Sequence, residues 1–96
     1  MLAMNVRVGS FEVDVLARDG DTIALVEVRA RGPRSWQAPL ESISPRKRER
    51  LRKAGRRLWA ERFERDPTVN TLRFDAAGVA WDGDGAPTVT WVRGAF

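Results

Sequence analysis

Glu12, Asp14 and Glu27 lie on two adjoining segments, Phe11 to Ala17 (FEVDVLA) and Thr22 to Arg29 (TIALVEVR). Carboxylates brought together in this way can hold a divalent cation. The chain contains neither His nor Cys, which removes the commonest general base and excludes zinc sites built on imidazole or thiolate. Any metal must therefore be bound through oxygen, a donor set that suits Mg²⁺ or Mn²⁺. Carboxylates on such an ion, with the ion activating a water and neutralising a phosphate as its charge builds, form a metal-assisted hydrolysis site.

A hairpin must position these acids. Phe11 to Ala17 alternates strictly, as a half-buried strand does, and Thr22 to Arg29 is rich in β-branched residues and nearly continuous in apolar character. Between them Arg18-Asp19-Gly20-Asp21 centres on Asp-Gly, which suits a two-residue type I′ turn. That turn sets Arg18 opposite Asp21, Glu12 opposite Glu27 and Asp14 opposite Leu25, so Glu12, Asp14, Glu27 and Arg29 share one face. A slip of two residues keeps them together; a slip of one separates them. Opposed like charges destabilise a sheet, and a carboxylate among Leu25, Val26 and Val28 is costly to desolvate. A cation offsets both costs, and Arg29 offsets them in part. The alternative is a solvated acidic face paired with Arg29 or Arg31.

The second chemical feature is basic. Ten of the chain's seventeen Lys and Arg residues fall between Arg46 and Arg65, against three Glu. Ser44-Pro45 opens a helix as N-cap and first helical residue, and the spacing carries it to about Arg65. Leu51, Ala54 and Leu58, joined by Trp59 and Phe63, form its buried stripe, and Asp66-Pro67 ends it. Arg46, Lys47, Arg50, Lys53 and Arg57 are placed to line a nucleic-acid backbone. An Arg-rich surface without a specific partner is the alternative.

Around these elements, residues 4–8 alternate weakly before a Gly9-Ser10 turn, and residues 32–41 read as an irregular loop. Thr68 to Trp81 is a strand with Leu72 and Phe74 alternating against Arg73 and Asp75. Asp82 to Gly85 turns, and Thr88 to Val92 is a short edge strand. The order is β-β-β-α-β-β in a single domain over residues 1–96. An apolar share of 43% with four Trp and four Phe is too high for disorder. The net charge of +4 is compatible with an acidic partner. No run approaches the ~20 apolar residues of a membrane span, the N-terminus lacks a signal-peptide pattern, and the default expectation is a cytoplasmic protein with no membrane partner.

The segments FEVDVLARDGDTIALVEVRAR, ESISPRKRERLRKAG and LRFDAAGV, with the ending GAF, resemble the YraN family of small bacterial proteins. That family is similar to archaeal Holliday-junction resolvases and to the PD-(D/E)XK nuclease-like superfamily. The resemblance covers nearly the whole chain in the same order. It implies an α/β fold with a restriction-endonuclease-like core: a mixed four- to five-stranded sheet, one long basic helix, and the first family helix absent. That absence uncovers a flank of the sheet and raises the expectation of a homodimer. The resemblance further implies that Asp14 and Glu27 bind Mg²⁺ or Mn²⁺ with Glu12 assisting. Arg29 stands where the family has its Lys, and Lys47 matches a family lysine at the helix start. The resemblance implies that both contact the scissile phosphate beside the catalytic Asp14 and Glu27. The function implied is a nucleic-acid-binding protein of nuclease ancestry, a metal-dependent endonuclease on branched or single-stranded DNA. Arg does not readily shuttle a proton, so a catalytically inactive DNA-structure-binding module stays open, as does an oligomerising scaffold without nucleic acid.

Overall fold

Two tight turns fold the first third of the chain into three antiparallel strands. The computed structural model describes residues 2–31, 43–80 and 85–95. β1 (Ala3–Val8) turns through Gly9-Ser10 into β2 (Phe11–Asp19), and β2 turns through Gly20-Asp21 into β3 (Thr22–Arg31). Helix α1 (Pro45–Leu58) follows and continues as a π-helical turn over Trp59–Phe63, and the chain ends with β4 (Thr71–Ala80) and β5 (Thr88–Val92). The sheet order is β1-β2-β3-β4-β5. Only β3 and β4 run parallel, because α1 lies in the connection between them. The expected mixed α/β architecture and the expected order of elements along the chain are therefore present, with five strands and β5 at an edge. The loop expected at 32–41 and most of the turn at 82–85 fall outside the described residues.

One face of the sheet packs against the helix. Val6, Val8, Val13, Leu16, Ile23 and Leu25 join Ala54, Leu58 and Val69 in one buried cluster, with Trp59, Phe63, Leu72 and Phe74 packed against it. Leu51 is also buried, so the expected helical stripe faces the core throughout. The helix and sheet approach closely at Gly55, where a β-carbon would stand 2.7 Å from Phe74 Cζ. After Leu58 the bonding shifts from i→i−4 to i→i−5, with Glu64 N–H donating to Trp59 O at 2.8 Å. Trp59 and Phe63, four residues apart, both pack on the core side. Asp66 then stops the helix, its Oδ1 accepting from Thr68 N–H at 2.8 Å. Helical structure ends at Phe63 rather than Arg65, and β4 begins at Thr71 rather than Thr68. No helix among the described residues is long and apolar enough to cross a membrane.

The hairpin register differs from expectation by two residues. Asp19 pairs with Thr22 and Leu16 with Leu25, so the loop is Gly20-Asp21 rather than Asp19-Gly20. Gly20 has φ +62°, and Asp21 does not share the positive φ that a type I′ turn needs at its second position. Glycine at the first central position is the arrangement of a type II′ turn. Placing Gly there frees Asp21 to accept from Asn70 Nδ2 at 2.7 Å, which ties the turn to the start of β4.

Candidate functional site

The acids meet where β2 and β3 part. Their ladder runs from Asp19↔Thr22 as far as Val15↔Val26. Beyond it, Asp14 Oδ2 accepts from Val28 N–H at 2.9 Å, a side chain standing in for a strand bond. The strict alternation expected over Phe11 to Ala17 is broken at this point. Val13 and Leu16, three residues apart, both face the helix, as do Ala3 and Val6 on β1. Asn5, between Ala3 and Val6, takes φ +53°, a conformation that Asn tolerates better than most residues. The kink passes through both strands together, since the β1–β2 register is unchanged on either side of it. Its consequence is that Asp14 turns toward Glu27.

Glu27 is 1% exposed. Its Oε1 is in contact with Lys47 Nζ and lies 3.7 Å from Arg29 Nη2. Its Oε2 is buried without a hydrogen-bond partner among the described residues, as is Arg29 Nε. Burial pushes the Glu27 carboxyl above its ordinary range; Lys47 pulls it back, and the neighbouring Asp14 adds to the rise. Lys47 arrives through the helix cap: Ser44, extended at ψ 154°, accepts from Lys47 N–H with its side chain, and Pro45 follows in the first turn. The expected cap thus fixes the residue that reaches the carboxylate. The first turn holds Arg46 and Lys47 and no acid, which opposes the helix dipole unless an anion lies nearby. Glu27 supplies one.

An unpartnered, buried Glu27 Oε2 beside the Asp14 carboxylate is a hard-oxygen pair, and it fits Mg²⁺ or Mn²⁺. The three-acid cluster expected from strict alternation does not form. Glu12 is exposed and lies opposite Arg7 on β1, and no group of three potential ligands occurs among the described residues. The register slip of two would have kept Glu12 with the others. The kink at Asp14 separates them, leaving Glu12 on the far side from Phe11 and Val13.

Four of the five expected backbone contacts, Arg46, Arg50, Lys53 and Arg57, are exposed, at spacings that set them along one side of α1. Arg57 is held by Glu61 at 2.9 Å, while Arg52 and Arg56 share Glu49. Arg46, Arg50 and Lys53 have no acid partner among the described residues. The stripe begins at Arg46, next to Lys47, so the free cations adjoin the acidic pair.

One buried group was missed by the sequence reading. Asp75, fully buried, accepts from Arg73 through both oxygens at 2.8 and 3.0 Å, from Trp91 Nε1 at 2.9 Å and from Gly94 N–H at 2.9 Å. Burial would raise this carboxyl, but Arg73, the Gly94 amide and Trp91 together hold it below the ordinary range. With four donors it is a satisfied anchor for β5 and the C-terminal segment, with no oxygen left for a ligand. The signal available was an Asp between Phe74 and Ala76 in a strand, with an Arg two residues before it on the same face.

A family model described as "Uncharacterised protein family UPF0102" matches residues 1–79. A UPF0102 protein of Sorangium cellulosum is 49% identical over 96 residues, covering 100% of this chain and 67% of the relative. One from Acidothermus cellulolyticus is 38% identical over 103 residues, covering 100% and 78%. One from Pseudomonas paraeruginosa is 42% identical over 89 residues, covering 88% and 67%.

Proposed function

The chain belongs to the UPF0102 family, and on that premise we propose that it is a nucleic-acid-binding protein of nuclease ancestry, hydrolysing phosphodiesters in branched or single-stranded DNA with Mg²⁺ or Mn²⁺. The observation that carries this reading is the bare Oε2 of buried Glu27 beside Asp14. A buried carboxylate oxygen without a partner is expensive to maintain, and a cation removes that cost. Asp14 and Glu27 would hold the ion, which when bound supplies a water of lowered pKa and a charge to match the phosphate. Lys47 favours the ionised form of Glu27 against the effect of burial, and would present its ammonium to the phosphate. Arg29 contributes fixed positive charge beside it, without taking up a proton. Arg46, Arg50, Lys53 and Arg57 hold the backbone of the substrate along α1. Such a substrate implies action in the cytoplasm. The reading includes a homodimer: the edge strands carry exposed Met4 on β1 and exposed Val89 and Trp91 on β5, and Leu2 before β1 is exposed as well.

The Lys47–Glu27 ion pair favours one second reading, a catalytically inactive DNA-structure-binding module in which Lys47 serves as the permanent counter-charge. Incubation of branched and single-stranded DNA with the protein and Mn²⁺ separates the two. Cleavage that is lost in Asp14→Ala supports the enzyme. Salt-sensitive binding without cleavage, unaffected by Glu27→Ala, supports the module, and no binding at low salt overturns both.

A further inference from the structure

A cleft of about 520 Å³ lies between the β1–β2 turn and α1, lined by Gly9, Ser10, Phe11, Arg50, Lys53 and Arg57 among others. Gly9 has φ +61°, and a β-carbon there would stand 2.6 Å from Arg57 Nη1, so the guanidinium lies directly over the turn. Glu61 accepts from Arg57 Nε at 2.9 Å and holds it in that position. Arg50 and Lys53, exposed and without an acid partner among the described residues, add two free cations. Phe11, half-buried and packed against the core, also lines this cleft and is the aromatic residue in its lining. Arg50 is one helical turn beyond Lys47, so the cleft adjoins the Asp14–Glu27 pair along the helix, with Arg57 about 15 Å from Lys47 at ~1.5 Å per residue.

We propose that this cleft binds one unpaired nucleotide, its base against Phe11 and its phosphate on Arg50 and Lys53, and so selects single-stranded segments for the adjoining site. The inference rests on the nucleic-acid reading above and goes beyond it by assigning Phe11 and the Gly9-Ser10 turn, which no backbone-tracking helix requires. Cations hold phosphate whatever the base. An aromatic face in the same cleft adds stacking, which needs a base free of its partner.

The test is fluorescence anisotropy at low salt with three probes: a labelled thymine oligonucleotide, the same oligonucleotide with abasic residues, and a blunt duplex of equal length. The thymine strand is expected to bind about tenfold more tightly than the abasic strand, the scale of one stacked base. Phe11→Leu should abolish that preference while leaving abasic affinity unchanged, and Lys53→Ala should weaken both strands alike. The comparison of thymine with abasic strands uses the unaltered protein and so does not depend on the variant folding. Equal affinity for thymine and abasic strands, or a preference that survives Phe11→Leu, overturns the inference and leaves nucleic-acid binding intact. Failure to bind any probe overturns both.

Discussion

Glu27 has one oxygen against Lys47 and the other bare, and its protonation should be visible in the stability of the whole chain. Its carboxyl is raised above the ordinary 4.5, so from about there up to its native value the folded chain binds more proton than the unfolded one. Stability through this group therefore falls as pH rises through that window. Asp75 works in the opposite sense and in a different range. Its carboxyl is lowered from 3.8, so its contribution is complete above that value and is lost as pH falls through it toward the native one. Urea unfolding at stepped pH should show stability falling with rising pH from about 4.5 upward, and Glu27→Gln should flatten that fall while sparing the loss at lower pH. An unchanged slope in the variant would mean that Glu27 is not the strained group.

At the scale of elements, two contacts determine where Lys47 and the helix lie. Ser44→Ala removes the cap on the Lys47 amide and should cost about 1 kcal/mol in chemical denaturation. Any cleavage or metal affinity should fall further than that loss explains, because Lys47 leaves its position. Gly55→Ala gains up to ~1 kcal/mol of helix propensity but drives a methyl to within 2.7 Å of Phe74, and overpacking costs about 1–3 kcal/mol. A net loss of stability is expected; a gain would show that helix and β4 can move apart freely. The cap, the helical stripe, the order of elements along the chain and the edge position of β5 were legible in the residues, since each follows from local chemistry: Ser-Pro, three- and four-residue apolar spacing, alternating runs, Gly turns. The kink at Asn5 and Asp14 was not. Nothing in MNVRV marks a left-handed Asn, and FEVDVLA alternates in composition even where its backbone does not. That kink is why Asp14 joins Glu27 while Glu12 stays outside. Lys47 was legible only through family resemblance, because its approach to Glu27 depends on how the helix crosses the sheet.

The largest-scale feature among the described residues is a pair of acids beside a run of cations on α1. The acidic pair sits at the start of α1, and Arg46, Arg50 and Lys53 continue from it without acid partners among the described residues. If these residues lie along a phosphate backbone, DNA affinity should fall steeply with salt, and Arg50→Ala should reduce the slope of log K against log[salt] by about 1. Arg56→Ala, whose guanidinium is shared with Glu49 at 3.7 Å, should change it less. Equal slopes for the parent chain and Arg50→Ala would remove α1 from the interface.

If Asp14 and Glu27 form a divalent-cation site, Mn²⁺ binding followed by electron paramagnetic resonance detects it without any substrate. One saturable Mn²⁺ site per chain is expected, displaced by Mg²⁺ and lost in both Asp14→Asn and Glu27→Gln while Glu12→Gln retains it. Absence of saturable binding by a folded chain, or binding that survives Asp14→Asn, would contradict this assignment.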